Sequence, residues 1–473
     1  GLLLAAWLTA FFYVRTWDLP SRLEHVPDAI VADAAFTPAE AMQASTYSYP
    51  PLQYLLTSLA LPDPSVEQCD SVAEATHRIL VRRAFSSAMA FGLILLTFLF
   101  GVRHLRMNDW FAWGAAQLFA LLPLVLFYSQ TSNMDAPYAF WLMAAVFCVA
   151  EAELRAEGRR SVALHLAAGV FLGASFCTKD QVYAVCILPA FAYALFRLRR
   201  GESFRSATRP LLLWAASFVL TVGAIYAWAG GIPVMRAHFS WIAGGGRTEF
   251  FQAGDSFAER LSLLRLQVRS LLCAADLPLL AALLAGALLL RSGWRSFLRE
   301  EWLFPVAILL AMASMQLFLI QILRASHARY AVVFLPFLAL LAFRMLERAR
   351  PRPLVVAVIA VLLGYSGLNA ASFLSGMKRT PRQEAVSVLK KNPETFAAMT
   401  LPGERFLYGA DGAATRYGAY RSWLFAKLEP EGDVPDLALE SFFFHMKDPD
   451  SVLLSGDVES PFADELKACG AYR

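Results

Sequence analysis

Long apolar stretches recur from one end of this 473-residue sequence to the other. An α-helix needs about 20 mainly apolar residues to cross a hydrocarbon layer of about 30 Å. Eleven runs follow this pattern, some of them shorter, at residues 1–14, 84–101, 110–128, 136–153, 161–177, 182–196, 210–230, 271–290, 302–323, 330–343 and 353–373. The sequence therefore predicts an α-helical polytopic membrane protein with about eleven transmembrane helices. The short runs 182–196 and 330–343 could be partly re-entrant.

Composition supports a chain that lies mostly in a lipid bilayer. Hydrophobic residues make up 58% of the sequence and charged residues only 17%, whereas soluble domains carry about 25% charged residues. The arginines fall in short clusters between apolar runs, and no single face is basic. This pattern argues against nucleic-acid binding.

The arginines also predict which side of the membrane each loop faces. They concentrate in alternate connections, at residues 103–106, 155–160, 197–209, 291–299 and 344–352, while the loops 129–135, 178–181 and 324–329 hold few cations. Because cytoplasmic loops carry an excess of lysine and arginine, we expect a cytoplasmic N-terminus. Two large loops, 15–83 and 231–270, and the tail from residue 374 are then extracytoplasmic.

The tail differs from the rest of the chain in composition. Residues 374–473 contain proline, glycine and charges at the density of an ordinary globular domain, and 382–391 has a helical pattern. We therefore predict a transmembrane domain over 1–373 and a small extracytoplasmic α/β domain over 374–473. Cys69 and Cys469 both fall in polar outer regions and could pair, and no Cys-x-x-Cys spacing indicates a metal or redox site.

Polar residues gather on the predicted outer side. They include Asp28 and Asp33 in the first loop, Asp135 in the next outer loop, and then Lys179 and Arg329. Ionisable groups at a membrane are costly and are functional candidates. The carboxylates could take a proton from an acceptor hydroxyl or share a divalent cation, and the two cations could neutralise a phosphate. This combination suits the displacement of a lipid phosphate from a sugar.

Each of these residues also has a purely structural interpretation. Asp135 could cap the helix that it opens, Lys179 could extend to the interface from a helix end, and Arg329-Tyr330 could be an interfacial anchor. The first-loop aspartates could be ordinary loop residues. Tyr49-Pro50-Pro51 could only direct the chain, and His327 is a secondary candidate. The joint placement on one side carries the functional hypothesis.

The order of these motifs resembles the type-C glycosyltransferase superfamily. It is closest to the branch of protein O-mannosyltransferases and lipid A aminoarabinose transferases, which is glycosyltransferase family 39-like. The resemblance covers about residues 1–373 and rests on His25-Val26-Pro27-Asp28, Tyr49-Pro50-Pro51-Leu52-Gln53-Tyr54, Asp135-Ala136-Pro137, Gly173-Ala174-Ser175-Phe176-Cys177-Thr178-Lys179 and Arg329-Tyr330, in that order.

Two positions depart from the family pattern. The family often has Asp-Glu where this chain has Asp28-Ala29, so one acidic group is absent. Asp33 or Asp135 could substitute for it, or a metal is not needed, or this member is atypical. The aminoarabinose branch often has lysine before the proline pair, where this chain has Tyr49, which argues against that narrow substrate class.

The resemblance implies an inverting enzyme that uses a polyprenyl-phosphate-linked sugar. In this interpretation Asp28 is the general base, Asp135 is its helper or a cation ligand, and Lys179 with Arg329 binds the donor phosphate. No cofactor is firmly required, although a divalent metal fits the carboxylates. The acceptor, whether protein, lipid or glycan, stays open.

Two other functions are consistent with parts of the sequence. A transporter or flippase for a lipid-linked precursor would show inverted repeats and charges near mid-membrane, and the sequence shows neither. A non-catalytic assembly protein that keeps this fold would have lost its base, and the Asp28-Ala29 departure leaves that alternative open.

Overall fold

A computed structural model of the chain describes residues 50–60, 72–130, 134–155, 158–243, 256–291, 293–318 and 328–378. These residues are helical apart from short connections. The helices are α1 (Leu52–Ser58), α2 (Val72–Arg103), α3 (Asp109–Ala120), α4 (Pro123–Gln130), α5 (Asp135–Glu153), α6 (Arg159–Thr178), α7 (Val182–Arg199), α8 (Phe204–Trp228), α9 (Ile232–Ala243), α10 (Phe257–Leu289), α11 (Trp294–Glu301), α12 (Leu303–Phe318), α13 (Leu335–Arg348) and α14 (Arg352–Lys378). A 3-10 turn at Ala328–Ala331 precedes α13.

Within these residues, six helices are long and apolar enough to span a membrane, or up to eight if two bent pairs each count as one span. Apart from the run at 1–14, which lies outside the described residues, every predicted apolar run overlaps a helix. The run at 110–128 is broken into α3 and α4, which meet at 66°. The chain is therefore a helical membrane protein, and the total of eleven spans stays a prediction, as does the α/β domain beyond α14.

The chain divides into two compact units. The first comprises residues 1–17, 49–55 and 84–373 and holds the helical bundle. In it α6 packs between α5 and α8, α13 packs against α10 and α3, and α7 packs against α12. The second unit comprises residues 18–48, 56–83 and 374–473. Its described part is the end of α1, the first turns of α2 and the end of α14.

Helix α10 is interrupted at Asp276, where the backbone enters the left-handed region with φ 55°. Pro278 follows two residues later, and proline cannot donate a backbone hydrogen bond and disfavours helical geometry just before it. Asp276 Oδ1 accepts from Leu277 N at 2.7 Å, and Oδ2 accepts from Asn369 Nδ2 at 2.7 Å. The side chain therefore satisfies the backbone at the break and ties α10 to α14.

Glutamates pair with many of the arginines at one end of the bundle. The pairs are Glu151 with Arg103 and Arg155, Glu153 with Arg197, Glu301 with Arg344, and Glu300 with Arg348. We call this end, formed by residues 103–108, 151–155, 158–160, 197–205, 290–291, 293–302 and 344–352, the basic edge. The sequence predicts its arginines to be cytoplasmic. Part of their positive charge is neutralised by these glutamates, which a rule based on lysine and arginine alone does not consider.

His104 shows how strongly the basic edge is packed. Its ring lies 4.9 Å from that of Phe100 and 4.8 Å from that of Phe147. Burial, together with the adjacent Arg103, lowers the pKa of His104 to about 4. The imidazole is therefore neutral near pH 7, and its 3.6 Å approach to Glu151 is not an ion pair there.

Close packing of α6 on α8 depends on Gly169. A Cβ atom at this position would lie 1.9 Å from Ser217 Oγ and 2.4 Å from the Trp214 carbonyl oxygen. We expect Gly169→Ala to lower the midpoint of thermal unfolding, because overpacking costs about 1–3 kcal/mol. Gly223→Ala on α8 is the matched control, since a Cβ there meets no atom within 4 Å. Equal midpoints for the two variants would contradict this account of the packing.

Candidate functional site

Asp135 is the first residue of α5, and its side chain is 1% exposed. The N-cap position is held by Met134, which makes no side-chain capping hydrogen bond. Asp135 therefore does not act as the N-cap, which was its structural alternative. As a carboxylate in the first turn it still interacts favourably with the helix dipole. Its oxygen Oδ1 instead faces a cation from the neighbouring helix.

That cation is Lys179, which ends α6 in an extended conformation. Its backbone N–H donates to the Ser175 carbonyl oxygen at 2.8 Å, which closes the last helical turn. The side chain is 2% exposed, and Nζ forms a hydrogen-bonded ion pair with Asp135 Oδ1. A lysine whose side chain extends from a helix end to the membrane–water interface would be exposed. The burial of Lys179 therefore contradicts this purely structural interpretation.

The burial of the Asp135–Lys179 ion pair carries a desolvation cost. Each ion loses its hydration, and the attraction between the two only repays this cost when the geometry is good. Breaking such a pair by removing one partner costs about 3–5 kcal/mol. Asp135 and Lys179 thus depend on each other, and they join the start of α5 to the end of α6 at the end of the bundle opposite to the basic edge.

Two tyrosines lie beside the pair. Lys179 Nζ is 5.3 Å from the ring centroid of Tyr330 and 5.9 Å from that of Tyr138. The Arg329 guanidinium lies 5.5 Å from the centroid of the same Tyr330 ring. Cation–π contacts at these distances are favourable by about 0.5–2 kcal/mol. The structure therefore brings Asp135, Lys179 and Arg329 to one place, with both cations beside Tyr330.

Tyr138 is a candidate that the sequence analysis did not single out. It lies one helical turn after Asp135, is 2% exposed, and its carbonyl oxygen accepts from Ser175 Oγ at 3.0 Å. Its hydroxyl has no hydrogen-bond partner among the described residues. Buried tyrosine hydroxyls usually find a partner. The i, i+3 spacing from Asp135 places both on the same face of α5, which is the signal that could have identified it.

Several predicted site residues cannot be placed against this cluster. Asp28, Asp33, Tyr49 and His327 lie outside the described residues, as do Cys69 and Cys469. Helix α1 begins at Leu52, three residues after Tyr49, and its first residues are buried, including Gln53 at 1% exposure. The roles predicted for all these residues stay predictions.

No group of three or more His, Cys, Asp or Glu side chains that could hold a metal occurs among the residues that the structure describes. Mg²⁺ and Ca²⁺ take six or more oxygen ligands, which Asp135 does not supply by itself. A metal at this site would therefore require further ligands.

One protein family matches the chain. Residues 48–230 match the family of dolichyl-phosphate-mannose-protein mannosyltransferases. The matched region covers less than half of the chain, and it includes Asp135, Tyr138 and Lys179. No curated protein matches the chain by sequence.

Solved structures also resemble the chain. The oligosaccharyltransferase of Archaeoglobus fulgidus in its apo form matches with a TM-score of 0.50 and 15% identity, over 84% of this chain and 59% of that one. ArnT from Cupriavidus metallidurans matches with a TM-score of 0.49 and 14% identity, over 93% of this chain and 74% of ArnT. The S. cerevisiae protein O-mannosyltransferase Pmt1-Pmt2 complex matches with a TM-score of 0.38 and 20% identity, over 50% of this chain and 33% of that one.

The family match agrees with the resemblance in the sequence. Residues 48–230 match a mannosyltransferase family of the branch that the motifs indicate, so the predicted resemblance is confirmed. At such identities the structures bear on the fold alone. The chain also spans only 59% of the archaeal enzyme and 33% of the yeast chain. The family match supports a glycosyltransferase role.

Proposed function

We propose that this chain, a membrane protein with the type-C glycosyltransferase fold, transfers a sugar from a polyprenyl-phosphate donor to an acceptor on the extracytoplasmic side, with inversion. The observation that carries the proposal is the buried Asp135–Lys179 pair beside Tyr330 and Arg329. The pair lies within the region that matches a family described by its dolichyl-phosphate-mannose donor. Buried charges are costly, and a phosphate-binding role accounts for them.

In this proposal Lys179 and Arg329 bind the donor phosphate. Displacement at the sugar carbon breaks the bond to the phosphate oxygen, and the phosphate leaves with an additional negative charge. A buried ammonium and a guanidinium stabilise that charge more strongly than water would, because the site is already desolvated and oriented. Tyr138 offers a hydroxyl donor to the same region, since its O–H has no partner among the described residues.

The ion pair narrows the role of Asp135. If Asp135 took the acceptor proton, its attraction to the buried Lys179 would be lost in the same step. We therefore assign Asp135 to positioning Lys179, or to holding a divalent cation with other carboxylates. Asp28 is then the proposed general base, which takes the proton from the attacking acceptor hydroxyl. Asp33, Tyr49 and His327 are secondary candidates for contacts to the donor or acceptor.

A direct assay tests the proposal. Purified full-length protein is incubated with polyprenyl-phosphate mannose labelled in the sugar, and release of polyprenyl phosphate is measured with time. We expect the protein to cleave the donor by transferring its mannose to an acceptor or, more slowly, to water. Labelled donor that moves between leaflets of a vesicle without cleavage would instead support the transporter. If folded protein leaves several different polyprenyl-phosphate sugars uncleaved, the non-catalytic assembly protein becomes the better account.

The orientation of the chain gives a separate prediction. If the basic edge faces the cytoplasm, the C-terminus after Arg473 is extracytoplasmic. We expect alkaline phosphatase fused there to be active and green fluorescent protein fused there to be dark in a bacterial host. A fusion at Gly201, in a loop of the basic edge between α7 and α8, should give the reverse pattern. The same pattern at both positions would contradict the topology.

A further inference from the structure

A cavity of about 550 Å³ opens on the basic edge, between the α2–α3 loop, the α10–α11 turn and the junction of α13 with α14. Half of its ten lining residues are arginines, namely Arg106, Arg344, Arg348, Arg350 and Arg352, and Ser296 and Glu347 also line it. Helix α13 runs from this cavity toward Arg329, and its 14 residues span about 21 Å. The cavity is therefore separate from the candidate active site.

Two of the cavity arginines are held by carboxylates. Arg344 donates to Glu347 at 2.7 Å and to Glu301, and Arg348 lies 3.1 Å from Glu300. These pairs fix the guanidinium groups in place, and they largely cancel their charge. Arg344 and Arg348 thus form an ordered wall rather than the source of a positive potential.

The other three arginines leave the cavity positively charged. Arg106, Arg350 and Arg352 form no ion pair with any carboxylate among the described residues. Arg350 donates to the Ala349 carbonyl oxygen at 3.0 Å, and the Arg352 guanidinium lies 5.6 Å from the ring centroid of Phe111. These contacts leave most of their N–H donors for another ligand, since each guanidinium carries five.

We propose that this cavity binds the phosphate group of an anionic membrane lipid. Guanidinium groups match phosphate oxygens in a bidentate geometry, and basic pockets between helices at a cytoplasmic membrane edge are suited to anionic headgroups. Trp110 near the start of α3 and Trp302 directly after α11 are 67% and 45% exposed, and exposed tryptophans mark the headgroup level. A soluble phosphate shares this chemistry, but the position at the interface favours the lipid.

Native mass spectrometry of the purified full-length protein in detergent tests the proposal. Phosphatidylglycerol and phosphatidylcholine with the same acyl chains are titrated in turn, and the dissociation constants are compared. We expect phosphatidylglycerol to bind wild type at least about tenfold more tightly. The triple variant Arg106→Gln, Arg350→Gln, Arg352→Gln should lose this preference. None of the three arginines has an ion pair to lose, so we expect the variant to fold.

A matched triple variant controls for net charge. Arg199→Gln, Arg205→Gln and Arg295→Gln remove the same charge from exposed positions of the basic edge outside the cavity. It should keep the preference for phosphatidylglycerol. Equal loss in both variants, or no preference in wild type, would overturn the proposal. If inorganic phosphate at millimolar concentration displaces phosphatidylglycerol from wild type and binds more tightly, the lipid is not the natural source.

Discussion

Replacement of Asp28 by asparagine is expected to lower turnover by about 10²–10⁴-fold, which corresponds to about 3–5 kcal/mol of activation free energy. Asparagine keeps the size and polarity of the side chain but cannot take a proton from the acceptor hydroxyl. Folding and donor binding should therefore be preserved. The measurement pairs initial rates of donor cleavage with the dissociation constant of the donor, so that loss of the base is separated from loss of binding.

Asp33→Asn is the matched control for this experiment. It makes the same chemical change in the same predicted loop, five residues further along the sequence. We expect it to retain turnover close to wild type. The comparison is needed because Ala29 stands where the family often has glutamate. If Asp33→Asn abolishes turnover while Asp28→Asn leaves it intact, the assignment of Asp28 as the general base is wrong. If neither substitution matters, this loop performs no acid–base chemistry.

The apolar runs predicted the helices well, because the backbone of each run lies in hydrocarbon or in the protein interior, away from water. A segment in hydrocarbon satisfies its N–H and C=O groups by forming a helix, so the runs at 136–153 and 161–177 reappear as α5 and α6. Breaks inside helices were harder to predict. The break in α10 depends on Asp276, Pro278 and a hydrogen bond from Asn369, which is 93 residues away and leaves no local pattern.

The candidate site was predictable in its members but not in their contacts. Asp135 and Lys179 were each recognisable as charges at helix ends on the predicted outer side. Their pairing across 44 residues depends on how α5 packs on α6, which no periodicity gives. Tyr138 was hidden for the same reason, since a tyrosine in an apolar run is usually part of the core or an interfacial anchor. Its importance follows from its neighbours, which only the packed structure shows.

The second large effect concerns the Asp135–Lys179 pair. Lys179→Met leaves the Asp135 carboxylate buried without its cation, so the variant should lose about 3–5 kcal/mol of stability. The double variant Asp135→Asn, Lys179→Met removes both charges and should regain most of that stability, because replacing a whole buried pair by neutral groups is often close to neutral. Thermal unfolding midpoints of wild type, both single variants and the double variant measure this difference.

Activity should not follow stability in this series. If Lys179 binds the donor phosphate, the double variant Asp135→Asn, Lys179→Met lacks that cation even though its stability is restored. Its donor affinity and turnover should therefore both remain lowered, by about 10²-fold or more. A double variant that regains full activity would show that the pair is structural and would leave phosphate binding to Arg329. The matched control is Glu151→Gln with Arg103→Met, since this pair involves the other end of α5. It should leave the donor requirement unchanged, because it lies on the basic edge, away from Tyr138 and the two cations.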